Sequence, residues 1–415
     1  MIGRSGRSGV RSVTGTMDAA ASLDAASERV PARLVELARI GRSEGGGVTR
    51  LPFSEDEAEA VGLFTAWATS AGARVVRDPF GNVFAYRGDW QGDPGVMLGS
   101  HLDTVVDGGA YDGALGVLGG LAVLESWELE IPLCIASFRA EEATQVGQGR
   151  VGSAVYTNAL SLAEAATLFG AVVDPLRGLP IEDVPFPRLY LELHVEQGPR
   201  LEAAGSLVGA VTGIAGYSRW QATIVGKADH VGSAAMSERR DALVAAAEIV
   251  LEVERVGRVQ LDVATVSRLE VAPNRVGVVP ARADLTADLR SLSDEAVERA
   301  VKDLTTRAAE ICGHRDLDLH TCEITRIKTT QFAENVVETI FSAAKKSGYD
   351  ALRLPSSANH DASNLASVCP AGMVFVPSRG GTSHSPDEFT DPEACQAGAR
   401  VLGLAASTLA QEINR

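Results

Sequence analysis

At 415 residues, 45% of them apolar, the chain exceeds what one hydrophobic core usually organises, so two globular domains are expected and a disordered or fibrous chain is excluded. Its 54 acidic against 38 basic residues leave a net charge of −16 with no basic stripe, which argues against nucleic acid or an anionic membrane surface as partner. The 5 cysteines lack a C-x-x-C spacing, so neither a zinc ribbon nor a disulfide framework is indicated, and a reducing cytoplasm suits them.

The leader MIGRSGRSGVRSVTGTMDAAAS has no apolar signal-peptide core, and no later stretch reaches the ~20 apolar residues of a membrane span. Residues 1–27 read as a disordered tail, with Met17 an alternative start to Met1. Apolar spacing predicts a helix from Glu28 to Ile40, and Ser54 with Glu57 reads as a capping box opening a helix that runs to about Ser70. Short strands at Arg74 to Arg77 and Val83 to Arg87 flank a Gly81-Asn82 turn.

Buried strands then deliver polar residues past their ends. Gly95 to Leu98 leads to Ser100-His101, and a helix from Gly113 to Trp127 holds Asp112 at its N-terminal edge. Ile131 to Phe138 ends in Arg139-Ala140-Glu141-Glu142, and Leu189 to Leu193 in His194-Val195-Glu196-Gln197. Met373 to Val376 precedes PSRGGTSHSPDEF. In open α/β sheets ligands bind in the crevice beyond the carboxyl ends of strands, so the pattern predicts a site there.

From about residue 209 to 325 the order changes to β-α-β-β-α-β: strand Trp220 to Val225, helix Glu238 to Val256, strands Val259 to Leu269 and Ala283 to Arg290, helix Asp294 to Ile311, strand Asp316 to Thr325. That order is the ferredoxin-like arrangement. The predicted fold class is therefore α/β, with a discontinuous sheet domain over 28–208 and 326–415 and a ferredoxin-like domain inserted at 209–325.

Of 7 histidines, His101, His194, His230, His360 and His384 lie in segments rich in glycine, acidic and small polar residues, whereas His314 and His320 do not. Each alone reads as a structural polar contact; together they point to a site. Imidazole nitrogens and carboxylate oxygens suit zinc or manganese hydrolases, and one carboxylate can bridge two ions ~3.5–4 Å apart. Neighbouring extended residues point opposite ways, so Glu141 and Glu142 can divide base and ligand roles, although the pair taken alone reads first as an exposed acidic turn. Asp103, two residues after His101, can accept that ring's N–H, as a turn-capping aspartate would also sit there.

The segments GSHLDTVVDGGAYDGALGVLGGL, FRAEEATQVG, ELHVEQGPRLE, GKADHVGSAAMSERRDAL, VVPARADLTADLR, SSANHDASNLA and FVPSRGGTSHSPDEFT resemble, in order, the motifs of M20-type amidohydrolases. The likeness is to the hydantoinase/carbamoylase branch, which includes N-carbamoyl-L-amino-acid hydrolases, allantoate amidohydrolases and β-ureidopropionases, and it covers about residues 30 to 412. The resemblance implies two divalent ions per subunit, zinc or manganese, with cobalt or nickel also suited. His101 and His194 would hold one, Glu142 and His384 the other, with Asp112 bridging. Glu141 would be the general base and Asp103 would orient His101. The inserted domain would be a lid and dimerisation module, so that a homodimer brings His230 to the neighbouring site to stabilise an oxyanion. Gln197 and Arg290 match substrate contacts, the arginine gripping a carboxylate in trans, and His360 with Asp361 matches a further site motif.

Several positions depart from the family pattern. Ala143-Thr144-Gln145-Val146 stands where a Gly and then an Arg-Phe pair are usual. Gly277 replaces the Asn of N-V-I-P, Ala234-Ala235-Met236 replaces Thr-Pro-Met, and Ser363 stands where glutamine is common. The implied activity is dinuclear hydrolysis of a linear amide-type C–N bond, first the carbamoyl or ureido group of a small carboxylated substrate such as an N-carbamoyl-L-amino acid or an allantoate-like compound. Alternatives are an aminoacylase or dipeptidase of the same fold and a non-catalytic metabolite-binding relative. The altered positions bear on substrate choice, because a lost hydrogen-bonding partner redirects specificity.

Overall fold

Four apolar runs, Leu133–Phe138, Val96–His101, Leu189–Val195 and Ala371–Val376, lie side by side in that order and run parallel. Every residue in them is buried, as expected of parallel strands covered on both faces. The computed structural model describes residues 14–142, 145–170 and 174–413. Antiparallel strands flank the parallel set, Val83–Arg87 and then Arg74–Arg77 on one side and Val208–Ile214 on the other.

The chain divides into two compact units, one of Met1–Thr212, Phe332–Leu354 and His360–Arg415 and the other of Gly213–Gln331 and Pro355–Asn359. Sequence reading set the corresponding breaks at 208/209 and 325/326. In the first unit, helix Ala114–Glu125 is buried on every side from Ala114 to Leu124, which explains why it reads as uniformly apolar rather than amphipathic. It packs against helices Pro392–Ile413, Val30–Leu37 and Thr14–Ser27. The last of these corrects the expected tail: residues from Thr14 are helical, and Leu23 and Ala26 are buried in the core. The remainder of the predicted tail, 1–13, lies outside the described residues.

Ser54 caps helix Glu55–Ser70, its hydroxyl accepting the N–H of Glu57 at 3.1 Å. The reciprocal half of the expected capping box is absent. Glu57 instead accepts from Phe53 N at 2.7 Å and turns its carboxylate onto the Arg139 guanidinium at 2.6–3.1 Å. A charged donor is the stronger partner for a buried carboxylate than the neutral N–H of Ser54.

In the second unit, strand Gly216–Val225, helix Ala242–Gln260, strands Val263–Ala272 and Arg282–Ser291, helix Asp294–His314 and strand Asp318–Ile327 follow one another. The sheet is antiparallel and, counting these four strands in chain order, runs four-one-three-two. That topology is compatible with the predicted ferredoxin-like arrangement. Its central strands alternate buried and partly exposed residues, so one face carries Trp220, Ala222, Ile224, Ala283, Leu285, Ala287 and Leu289 into a core with both helices, while the other stays polar.

Candidate active site

The four parallel carboxyl ends converge on one edge of the first unit. Chain order reverses there: from Val96–His101 the next strand, Leu133–Phe138, lies to one side and Leu189–Val195 to the other. Such a reversal opens a crevice between two strands. Gly99 pairs in register with Glu192, so two residues further along His101 and His194 share a level and a face, their ring centroids 5.9 Å apart.

The loop after His101 brings Asp112 between the rings. Its Oδ1 lies 3.4 Å from His101 Nε2 and 3.1 Å from His194 Nε2, while Oδ2 lies 3.4 Å from His384 Nε2. His384 Nε2 is also 2.9 Å from Glu142 Oε1, and Glu141 Oε2 is 3.9 Å from His101 Nε2. The donors thus form two groups sharing Asp112, His101–Asp112–His194 and Asp112–Glu142–His384. Gly113 makes this approach possible. A Cβ there would come within 2.4 Å of the His101 ring, and its φ of +64° disfavours other residues.

Hydrogen bonding indicates which ring nitrogens hold lone pairs. His101 Nδ1 faces the carbonyl of Asp103 and His194 Nδ1 that of Val195, both at 2.9 Å, so each Nδ1 carries a proton. His194 Nε2 accepts the N–H of Gly113 at 3.3 Å. Nε2 and carboxylate therefore face each other in a buried site, an arrangement that requires a positive charge between them, either a proton on the ring or a metal ion. Nitrogen–oxygen edges of 3.1–3.4 Å match the ~3.3 Å edge spanned by two ~2.0–2.1 Å bonds at a tetrahedral angle. The residues present fit divalent ions.

The cluster's titration follows the same charge pattern. His384 is pushed up to about 11, first by its contact with Asp112 and then by Glu142. For His101, burial works downward, but Asp112, Glu141 and Asp103 outweigh it and raise the ring well above its usual value. Burial opposes ionisation of Asp112, yet His194, His101 and His384 hold it well below the carboxylate range. Glu141 is driven the other way, well up, by burial and by Glu142, Asp361 and Asp103, with His101 tempering the rise.

Asp103 does not act as its spacing suggested. Its backbone carbonyl, not its carboxylate, meets His101 Nδ1, the nearer carboxylate oxygen being 3.9 Å away. The carboxylate instead accepts the backbone N–H of Glu141 at 3.1 Å and of Glu142 at 3.0 Å, fixing the turn that presents both glutamates. That turn is strained, as Ala140 has a φ of +60°. Gln197 (φ +55°) shares the left-handed conformation two residues past its strand, as does His384 (φ +55°) within the loop after Ala371–Val376.

Residues 97–408 match the peptidase family M20/M25/M40. The chain belongs to this family. It is 38% identical over 405 residues to the N-carbamoyl-L-amino acid amidohydrolase of Geobacillus stearothermophilus, covering 92% of this chain and 98% of that one. It is 31% identical over 388 residues to the allantoate amidohydrolase of Bacillus subtilis, covering 88% and 93%. An amidase of the hydantoinase/carbamoylase family from Burkholderia multivorans superposes with a TM-score of 0.84 at 33% identity, covering 92% and 98%.

Within the family's frame, Gln197 donates from Nε2 to Asp112 Oδ2 at 2.8 Å, leaving its buried Oε1 without a partner. His360 stacks edge-on against His194 with centroids 4.4 Å apart, and Asp361 beside it accepts from Ser153 Oγ. His230, Gly277 and Arg290 belong to the second unit. His230 is exposed, its Nδ1 accepting the N–H of Gly232 at 3.1 Å. Gly277 sits beside it, its carbonyl accepting Val231 N, with a φ of +85° that asparagine also tolerates. Arg290 donates to Asp288 and to the Ser357 carbonyl over the Tyr217 ring. Ala143 and Thr144 lie outside the described residues, and Gln145 is exposed.

Sequence reading missed the supporting residues. Glu192, wholly buried in its strand, accepts from Ser100 Oγ at 2.8 Å and Ala362 N at 2.9 Å, tying the strand ends to the His360 segment. Glu388 and Ser383 brace Asp112. A charged residue inside an apolar run, as in LYLELHV, was the available signal for Glu192. Nothing in PDEF separated Glu388 from a solvated acidic turn.

Proposed function

We propose that this chain is a dinuclear metal-dependent amidohydrolase that cleaves a linear, non-peptide C–N bond, the carbamoyl or ureido group of a small carboxylated substrate. The observation that carries this is the shared Asp112 carboxylate, with His101 and His194 on one oxygen and His384 on the other, and the buried Glu141 beside them. The carbamoylase and allantoate relatives supply the bond type. His101, His194, Glu142 and His384 would hold two ions bridged by Asp112, which when bound supply Lewis acidity and acidify water.

Glu141 takes the proton of the attacking water and returns it to the leaving nitrogen. Its burial favours the protonated acid midway through the cycle, as a base that must also act as acid requires. Asp103 keeps Glu141 and Glu142 on their turn. The orphan Gln197 Oε1 is an acceptor for a substrate N–H. Arg290 would hold the substrate carboxylate and His230 the negative charge growing on the carbonyl oxygen, since a guanidinium pairs with carboxylates bidentately and preorganised donors lower the barrier most. Carbamate released from a ureido group decays to ammonia and carbon dioxide.

Both residues act from a second copy of the chain in this reading, a homodimer joined through the second unit. Its support is an edge strand, Val263–Ala272, with Val263 and Leu269 exposed, next to a helix that exposes Leu243, Val244, Leu251 and Val259. An unpaired edge beside apolar side chains is a pairing surface. The five cysteines are free, which suits a reducing cytoplasm, and among the described residues no helix is long and apolar enough to cross a membrane.

The deciving assay is hydrolysis of N-carbamoyl-L-amino acids, N-carbamoyl-β-alanine, allantoate and N-acyl amino acids, following ammonia and free amine together. Ammonia from a ureido compound, reduced about 10²- to 10⁴-fold by Glu141→Gln without loss of fold, supports the reading. Amine from an acyl substrate without ammonia would transfer the chain to the aminoacylase-type alternative, and silence in both would sink the proposal.

A further inference from the structure

We propose that Glu388, with Ser383, is a positioning residue that clamps Asp112 to the His384 segment and thereby sets the affinity of the second metal ion; this rests on the dinuclear reading above. Glu388 is 5% exposed, yet it makes no ion pair among the described residues. One carboxylate oxygen, Oε1, accepts the backbone N–H groups of both Tyr111 and Asp112 at 3.0 Å. The other, Oε2, lies 2.6 Å from Ser383 Oγ, and the same hydroxyl lies 2.9 Å from Asp112 Oδ2. A single carboxylate therefore grips the backbone of Asp112 directly, and the Ser383 hydroxyl, with one proton to donate, lies between it and the Asp112 side chain.

The chain before Asp112 is shaped around this carboxylate. A Cβ on Gly109 would fall 2.1 Å from Glu388 Oε1, so only glycine leaves it room. Tyr111 and Phe389, one residue before Asp112 and one after Glu388, pack edge to face with centroids 5.8 Å apart. The two loops thus meet at three points, and each carries a proposed ligand, Asp112 in one and His384 in the other.

The clamp acts unequally on the two ions. Asp112 Oδ1 faces His101 and His194, which their strands and the carbonyls of Asp103 and Val195 already hold. Oδ2 faces His384, which sits on a loop with its side chain 47% exposed. Ser383 touches Oδ2 alone. Loosening Glu388 should weaken the ion held by His384 and Glu142 far more than the ion held by His101 and His194. Removing a hydrogen-bonded support behind a ligand costs about 10- to 100-fold in metal affinity.

The test is cobalt(II) titration of the metal-free full-length protein, followed by visible absorption and metal analysis after equilibrium dialysis. Wild type, Glu388→Ala, Glu388→Gln, Gly109→Ala and His384→Ala are compared, with thermal melting of each metal-free protein alongside. Two ions are expected in wild type. Glu388→Ala should keep the tighter ion and weaken the other 10- to 100-fold, the same ion that His384→Ala loses. Glu388→Gln should recover most of the loss because its amide oxygen still accepts both N–H groups. Gly109→Ala should copy Glu388→Ala while leaving the carboxylate in the chain. A merely structural role would lower the metal-free melting temperature and leave the two affinities unsplit; that result, or wild-type binding of both ions by Glu388→Ala, overturns the clamp. Fewer than two ions in wild type would overturn the dinuclear reading itself, and the clamp with it.

Discussion

The two units of the chain handle charge in opposite ways. In the first, Glu57, Asp103, Asp112, Arg139, Glu141, Glu192 and Asp361 are all buried, and each is met by backbone donors, a hydroxyl, an imidazole or an opposite charge. In the second, the buried set is almost wholly Ala, Val, Leu and Ile around Trp220, and ion pairs such as Arg258–Glu254 and Arg268–Glu270 stay in solvent. The difference separates a scaffold built for stability from one that spends part of its stability on chemistry. Burying a charge is costly unless its partners are complete, so dense buried charge marks the region where function compensates.

Breaking the buried pair tests this most directly. Arg139→Ala strips Glu57 of its cation within a site where both side chains are at most 4% exposed. An unfolding midpoint lower by the equivalent of about 3–5 kcal/mol is expected, because a charge is then left buried and unpaired. A loss under about 1 kcal/mol in denaturant unfolding would remove the contrast between the units.

Chelation should come next in size and should act on one unit only. An ion present at about 100 times its dissociation constant stabilises the fold that binds it by about 2.7 kcal/mol. Calorimetry with and without EDTA should therefore shift the transition of the first unit downward and leave that of the second in place. An unchanged thermogram would show that the buried cluster is balanced without metal.

The smallest effect belongs to the surface of the second unit. Glu254→Gln removes the helical partner of Arg258, both side chains being more than half exposed. The expected cost is under about 0.5 kcal/mol and should shrink further at high salt. A loss as large as that for Arg139→Ala would mean that the exposed pairs carry the fold after all.

Much of the architecture was legible because local patterns there agree with the tertiary answer. Strands Arg74–Arg77 and Val83–Arg87 have the bounds read from sequence, and no end of a parallel strand differs by more than three residues. The places where polar residues follow buried strands were legible for a related reason, since the hydrophobic run marks where each strand ends. The helix at Thr14–Ser27 was not legible, because its composition matches a solvated leader and only contact with helices Ala114–Glu125 and Pro392–Ile413 gives it a face to bury. Glu57 was misread in the same way: its spacing from Ser54 fits a local cap, but an arginine 82 residues away claims the carboxylate.

The sequence by itself determined the element order and which histidines and carboxylates follow the buried strands, since hydrophobic period and residue chemistry are local properties. Which oxygen or nitrogen of each residue does the work was decided only by tertiary structure. Asp103 turns its carbonyl to His101 and its carboxylate to Glu141 and Glu142, and Glu388 reaches across 276 residues to hold Asp112. Those assignments depend on hydrogen-bond distances and directions between segments far apart in the chain, and no spacing along one strand encodes them.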